Sequence, residues 1–475
     1  MVTDRPLPGR VSGGLGLLGL ALALLLAPAL PAGQEPLGLA DAIRRALAQN
    51  RDVRRSALAA DSAALSVGAA RSDFDLVVRP EGTLGASQGL GNLAYGLTVS
   101  KRLPWGTELS AAGMESSSAA LGTYQDSVQL ELRQPIRNFG ELMQGAAIAQ
   151  ASSGSQTARR RSDGKRSDTV LRVVEAYEAV GRGRRQLAAS QASVRRMDSL
   201  HQLTRAKELL GRTTGVDSLR VELLRGQALS RLEIAAQRLA TAGRELAVLL
   251  GAAPDAAFEV GVLAAVATPP PDQALRVARE RRLDLAQARQ DLADAEREAA
   301  IAQRGLWPDL SAVAQYQRFG TSPSVWEARR LPETIWFVGL SGAVELSFER
   351  RRVAVQQARL AAESAGQAVE SLQIAVEQQV QEALQARQRA EAEAAIREEN
   401  ARLAQARARL AHALFELGRV DAFGVTDAEE SDLRAEDELL VARGEADLAT
   451  YRVRHALGTL LDVPAELDAA GGSHP

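Results

Sequence analysis

Residues able to do chemistry are few in this chain, and their spacing argues against catalysis. The four histidines, His201, His412, His455 and His474, have neither metal-ligand spacing nor a neighbouring nucleophile pattern. There is no cysteine, which removes disulfides, thiolate metal sites and a lipidated N-terminal cysteine together. No phosphate-cradling glycine loop is present. His201 and His412 fall in helical runs and read as ordinary surface or seam residues. Two spacings do stand out. Gly211 leads through Arg212, Thr213 and Thr214 to Asp217, and Gly418 leads through Arg419 and Asp421 to Asp427. Each glycine suits a helix C-terminus, and each aspartate suits a helix start, where a carboxylate accepts backbone N–H bonds. The chemistry expected here is charge and capping. An enzyme, a metal site and a bound cofactor are not expected.

The aromatic residues are unevenly spread. All four tryptophans, Trp105, Trp307, Trp326 and Trp336, fall in two regions of short alternating segments, about 75–135 and about 307–348. In the first, Val128, Leu130 and Leu132 alternate with Gln129, Glu131 and Arg133, and Leu93, Tyr95, Leu97 and Val99 alternate with small or polar residues. In the second, Trp336, Val338, Leu340, Val344, Leu346 and Phe348 share a face. Ten-residue strands with one apolar and one polar face suit a lipid-facing barrel around a wet lumen. A soluble sandwich alternates in the same way. Trp and Tyr gather at membrane–water boundaries, and Trp105, Trp307, Trp336 and Tyr95 are the candidates here. Four to six strands cannot close a membrane barrel, and an open edge in lipid is costly, so several copies must share one.

These segments must be held by long helices. No proline occurs between Pro135 and Pro254, or between Pro332 and Pro464. Stretches from about Gly140 to Gly211 and from Arg350 to Gly418 would each approach ~100 Å at 1.5 Å per residue. Gly154, Gly164, Gly181 and Gly183 are places where the first could bend or break. Return helices are expected from Asp217 to Leu250 and from Asp427 to Leu461, with Ala and Leu recurring at heptad spacing.

The whole plan is written twice. Ala42, Ala46, Asp52 and Val53 correspond to Ala274, Ala278, Asp284 and Leu285, and Leu249-Leu250 corresponds to Leu460-Leu461. The offset shrinks by about twenty residues between these points, so the first copy carries an insertion, placed in its longer strand region. The divisions expected are 1–32, signal peptide; 37–254, first repeat; 255–271, linker; 272–464, second repeat; and 465–475, flexible tail. The signal peptide rests on Arg5 and Arg10 before the apolar run Leu15 to Leu30, with cleavage after Ala29 or Ala32. The charges nearly balance, 57 basic against 59 acidic, so no basic surface for nucleic acid is expected.

This pattern resembles the TolC family of outer-membrane efflux channels over essentially the whole mature chain. Asn50-Arg51-Asp52-Val53 and Arg282-Leu283-Asp284-Leu285 resemble the family's Asn/Arg-Pro-Asp-Leu opening without its proline. Leu306-Trp307-Pro308-Asp309-Leu310 resembles its entry to a strand, and Leu132-Arg133-Gln134-Pro135-Ile136 its exit. The resemblance implies a mostly α fold with membrane β, in which two repeats of long antiparallel coiled helices form an α-barrel and short strands complete a trimeric transmembrane β-barrel of twelve strands. It implies a passive exit duct in the cell outer membrane, with a large periplasmic helical part. The partners implied are the trimer itself, outer-membrane lipid, a periplasmic adaptor protein and an inner-membrane transporter, as in a tripartite efflux or type I-like secretion system. A periplasmic coiled-coil structural or adaptor protein is the alternative. By residue match, Asp427 and Asp217 stand at the periplasmic entrance, and Gly211, Arg212, Gly418, Arg419 and Asp421 on tips that dock the adaptor. Gly424 stands where the family often has a further Asp. A ring of three identical carboxylates would favour cations.

Overall fold

Alternation of period two and long proline-free runs separate into two layers in the computed structural model, which describes residues 35–87, 90–118, 121–136, 145–211, 213–263, 266–343 and 348–471. The signal segment and both cleavage positions lie outside them. In chain order the elements are β1 (Glu35–Leu37), α1 (Leu39–Gln49), α2 (Arg51–Ser72), β2 (Leu76–Ser87), β3 (Leu90–Arg102), β4 (Glu108–Ser118), β5 (Thr123–Pro135), α3 (Ala146–Leu209) and α4 (Gly215–Leu249). The second half continues with β6 (Phe258–Val260), α5 (Pro271–Arg281), α6 (Leu283–Arg304), β7 (Asp309–Ser322), α7 (Val325–Ala328), β8 (Glu333–Ala343), α8 (Phe348–Glu416), α9 (Ala422–Ala456) and α10 (Val463–Gly471).

The six longer strands form one antiparallel sheet in the order β2-β3-β4-β5-β7-β8. The registers put Val78, Val99, Ala111, Leu130, Tyr316 and Trp336 in one row. The same face carries Leu76, Leu97, Leu109, Leu132, Val338 and Leu340, and the opposite face carries Arg79, Ser100, Glu131 and Gln317. Ile335 and Phe337 are apolar exceptions on that second face. The apolar face is exposed: Trp336, Val338 and Leu76 are 73%, 70% and 59% accessible. An open apolar trough lined by Leu76, Val99, Leu109, Leu130, Ala314 and Val338 crosses all six strands. The second region is described as strand up to Ala343. Val344 and Leu346 lie outside the described residues, and Phe348 is helical.

α3 runs unbroken for 64 residues through all four of its glycines, and α8 runs for 69. At 1.5 Å per residue these are about 96 Å and about 104 Å long. α3 packs along α4, and α8 along α9. Val221, Ala228 and Ala235 are buried seven residues apart on α4, which is a coiled-coil repeat. The return helices start at Gly215 and Ala422, so the second begins five residues before Asp427.

Near the middle of α3 a girdle of short elements grips the helices. β1 and β6 pair in parallel. Tyr177, 2% exposed, donates from its hydroxyl to the Leu37 carbonyl at 2.8 Å and accepts from the Gly261 N–H at 2.8 Å, tying that pair to α3. Ile43, Val173, Leu246, Tyr451 and Leu460 fill the core around it. The paired alanines are fully buried in two cores: Ala42 and Ala46 pack within this one, and Ala274 and Ala278 with Val376 and Val380 of α8 in a second. All four are at most 1% exposed. α10 takes in residues 465–471 of the segment expected as a flexible tail, and Glu466 pairs with Arg454 at 2.5 Å.

The duplication extends to a shared joint. Asn50 ends α1 and caps α2, and its amide donates to the Leu249 carbonyl at 3.1 Å. In the second copy, the Arg282 guanidinium donates to the Ala456 carbonyl at 3.1 Å. Gly251 and Gly458 follow those helix ends with φ of +68° and +74°, and a Cβ on either would meet the Gln49 or Arg281 carbonyl oxygen at 2.9 Å. These contacts correct the sequence pairing at the end of the repeats: Leu250 corresponds to Leu457, while Leu460-Leu461 sits in a following 3-10 turn. The insertion in the first copy is then about 25 residues. That is the size of one β-hairpin, and the first copy has four sheet strands where the second has two.

Candidate functional site: the hairpin tips

The two helical hairpins end side by side. The first turns through Leu210–Thr214, closed by Gly211 at φ +63°, and the second through Leu417–Asp421, closed by Gly418 at φ +72°. Both glycines take the left-handed conformation expected of a residue just past a helix end. Arg212 lies outside the described residues, and Arg419 is exposed. Met197, Leu200, Val221, Phe415, Ala422 and Val425 pack between the hairpins just behind the turns. The Lys207 ammonium sits 3.8 Å from the centre of the Phe415 ring and donates to the Phe415 carbonyl. Arg220 lies over Phe423 at 4.8 Å.

The aspartates occupy different environments. Thr214 caps α4, and Asp217, three residues on, completes a reciprocal capping box. The Asp217 carboxylate accepts from Thr214 Oγ1 at 2.7 Å, Thr213 Oγ1 at 3.0 Å and the Thr214 N–H at 3.2 Å. Those bonds, the Thr214 hydroxyl foremost, hold its pKa below the usual aspartate value. In the second hairpin Asp421, not Asp427, is the cap, accepting from the Gly424 N–H at 2.9 Å. Asp427 lies a turn further on and is ion-paired to Arg407 of α8. Among the described residues, no hydrogen bond joins Asp217 to Asp427. Gly424 has a packing reason to lack a side chain, since a Cβ there would meet Val420 Cγ1 at 2.5 Å.

Two turns in from Asp421 is a buried group that sequence reasoning missed. Glu429, 5% exposed, accepts from Arg196 Nε of α3 at 2.9 Å and faces His412 Nε2 of α8 at 2.6 Å. It therefore links one helix of the first hairpin to both helices of the second. Burial pushes its pKa up, but the bonds from His412 and Arg196 win and hold it below the ordinary glutamate range. Of the two places expected for His412, surface or seam, it takes the seam between α8 and α9 and joins this network. Further along α9, burial raises the pKa values of Asp432, Glu436 and Asp437, and Gln186 of α3 donates to Asp437 at 3.3 Å. A sequence signal existed: acids recur along α9 at 429, 432 and 436, a spacing that keeps them on one helical face.

At the other end, Trp105 lies in the β3–β4 turn and Trp307 just before β7, both beside the helices and each 55% exposed. Trp336 and Tyr95 lie within strands on the apolar face, and Trp326 is in the β7–β8 connection. Arg329 of that connection reaches back to Glu115 of β4 at 2.7 Å. Among the described residues no helix is long and apolar enough to cross a membrane, which says nothing of a β-barrel.

Residues 274–459 match the family described as Outer membrane efflux protein. No curated protein matches the chain. Solved structures match nearly all of it. The outer-membrane channel OprN superposes with a TM-score of 0.70 at 18% identity, covering 89% of this chain and 90% of that one. The outer membrane protein VceC from Vibrio cholerae gives 0.69 at 15%, covering 88% and 96%. The open state of the MtrE outer membrane channel from Neisseria gonorrhoeae gives 0.67 at 18%, covering 89% of each. The fold expected from sequence, mostly helical with a smaller set of strands, is therefore the fold of these channels.

Proposed function

We propose, from the efflux-protein family matched by its second repeat and the channel fold of the whole chain, that this protein is the outer-membrane channel of an export system. It stands in the outer membrane with its helices in the periplasm, and trimers form a passive duct with no energy source of their own. The observation that carries this reading is one chain joining an exposed apolar sheet with two open edges to helices about 100 Å long. A soluble sandwich would cover such a face, whereas lipid requires it. An adaptor and an inner-membrane transporter would supply the drive, docking on the tips around Gly211, Arg212, Gly418, Arg419 and Asp421.

Asp427 and Asp217 serve this duct as entrance residues, with unequal roles. Asp217 is committed to its capping box, while Asp427 shares its charge with Arg407. Replacing Asp427 with Asn removes one negative charge per protomer and leaves the Arg407 charge unbalanced at the same level, still held by Ser431. Single-channel recordings of Asp427→Asn are expected to lose cation preference. Unchanged conductance and selectivity would reduce Asp427 to a structural ion pair. Retention of the chain in the membrane after alkaline washing tests the barrel itself, and release on gentle washing would favour a periplasmic coiled-coil protein.

A further inference from the structure

The sheet has more strands than two equal repeats would supply, and both of its edges are bare. β2 at one edge and β8 at the other are exposed almost throughout, and no described segment pairs with their outer sides. With six antiparallel strands, β2 and β8 run in opposite directions, so β8 of one copy meets β2 of the next antiparallel. The faces also agree: Leu76, Val78 and Leu84 of β2 continue the row pattern that ends in Trp336, Val338 and Leu340 of β8. The lengths match at 12 and 11 residues. Pro80 removes one donor from the β2 ladder and leaves the others.

We propose that a second copy of the chain occupies each edge, β2 of one protomer pairing with β8 of the next, so that a trimer closes a barrel of eighteen strands rather than twelve. This rests on the trimeric channel reading above. The dimensions favour it. Adjacent strands lie about 4.8 Å apart and tilt about 40° in a barrel, so each takes about 6.3 Å of perimeter. Twelve strands then give a perimeter of about 75 Å, and eighteen about 113 Å, or backbone diameters of about 24 and 36 Å. Next to the sheet each protomer contributes α2, α3, α6 and α8, with α2 packed on α3 and α6 on α8. Twelve helices spaced 8–10 Å apart need about 110 Å. The inserted hairpin therefore brings the strand layer to the width of the helical layer.

The native chain has no cysteine, which suits a cross-linking test. Val78→Cys in β2 is combined in turn with a cysteine at each apolar-face position of β8 from Thr334 to Gly342. A parallel set replaces Val78→Cys with Ala111→Cys, which lies in the same row on β4. Each variant is first checked, reduced, for resistance to alkaline washing and for an unheated trimer on gels, and is then oxidised in native membranes. The expected result is covalent trimers from the β2–β8 set and none from the β4–β8 set. Covalent trimers from β4–β8 alone would mean a twelve-strand barrel with the β2–β3 hairpin outside it, overturning the eighteen-strand closure and leaving the channel reading intact. A membrane-retained trimer with no product at any position also overturns the edge pairing. A chain that washes from the membrane overturns the channel reading instead.

Discussion

Replacing Glu429 with Gln should loosen the two hairpin tips from one another while leaving the rest of the protomer intact. Glu429 is buried and makes two charge-assisted contacts, with Arg196 Nε at 2.9 Å and with His412 Nε2 at 2.6 Å. Contacts of this kind contribute roughly 1.5–3 kcal/mol each when buried. The Arg196 and His412 side chains are 35% and 32% exposed, so water takes up part of what the carboxylate loses. After that discount the variant should cost about 2 kcal/mol of local stability, which at 1.36 kcal/mol per decade is about 30-fold in the opening equilibrium. Amide hydrogen exchange resolved by segment is the assay. Exchange should accelerate by that factor over Val425–Leu433 and Met197–Thr204, with no change around Tyr177. The sign of the pH dependence follows from the depressed pKa. The native network contributes fully above the ordinary glutamate range and is lost as pH falls through the lower folded value, whereas the Gln variant lacks that acid-dependent loss. Unchanged tip exchange, or an equal acceleration everywhere, would refute the assignment of Glu429 as the tie between hairpins.

Thr214→Ala removes the hydroxyl that caps α4 and bonds the Asp217 carboxylate, leaving only the backbone half of the box, and costs about 1 kcal/mol; faster proteolysis confined to the first tip is the readout. Gly458→Ala must hold a Cβ at positive φ and 2.9 Å from the Arg281 carbonyl oxygen, so roughly 2 kcal/mol of destabilisation is expected; a lower unfolding midpoint of the extracted protein would register it. Tyr177→Phe keeps the ring but leaves the Leu37 carbonyl and Gly261 N–H without their partner, at about 1–3 kcal/mol; exchange at Leu37 and Gly261 should rise before that of the helical tips.

Periodicity alone specified the two kinds of layer. Strict alternation in Val128–Arg133 and Leu93–Ser100 put those residues on the common faces that the registers later gave, because a period of two leaves only one way to segregate apolar side chains. The proline-free runs became single helices for the same local reason, and isolated glycines in α3 did not stop them since long-range packing outweighs about 1 kcal/mol per glycine. The repeated alanines marked deep contacts because only a small side chain lets helices approach so closely. The glycines at 211 and 418 were legible as helix ends because a positive φ leaves few alternatives.

Tertiary structure decided what depends on partners far apart in sequence. Asp421 rather than Asp427 caps α9, since the helix begins at Ala422; Asp427 lies inside it and pairs with Arg407 across the hairpin. Glu429 and His412 meet Arg196 only because two hairpins pack together, a contact spanning 233 residues that no local pattern encodes. The insertion was visible in the sequence as a shift in offset. That it is a complete extra hairpin, which widens the sheet to six strands, followed only from the hydrogen-bonded registers. Alternation fixes which way a strand faces, but strand number and neighbours are set by pairing, and pairing is a property of the folded sheet.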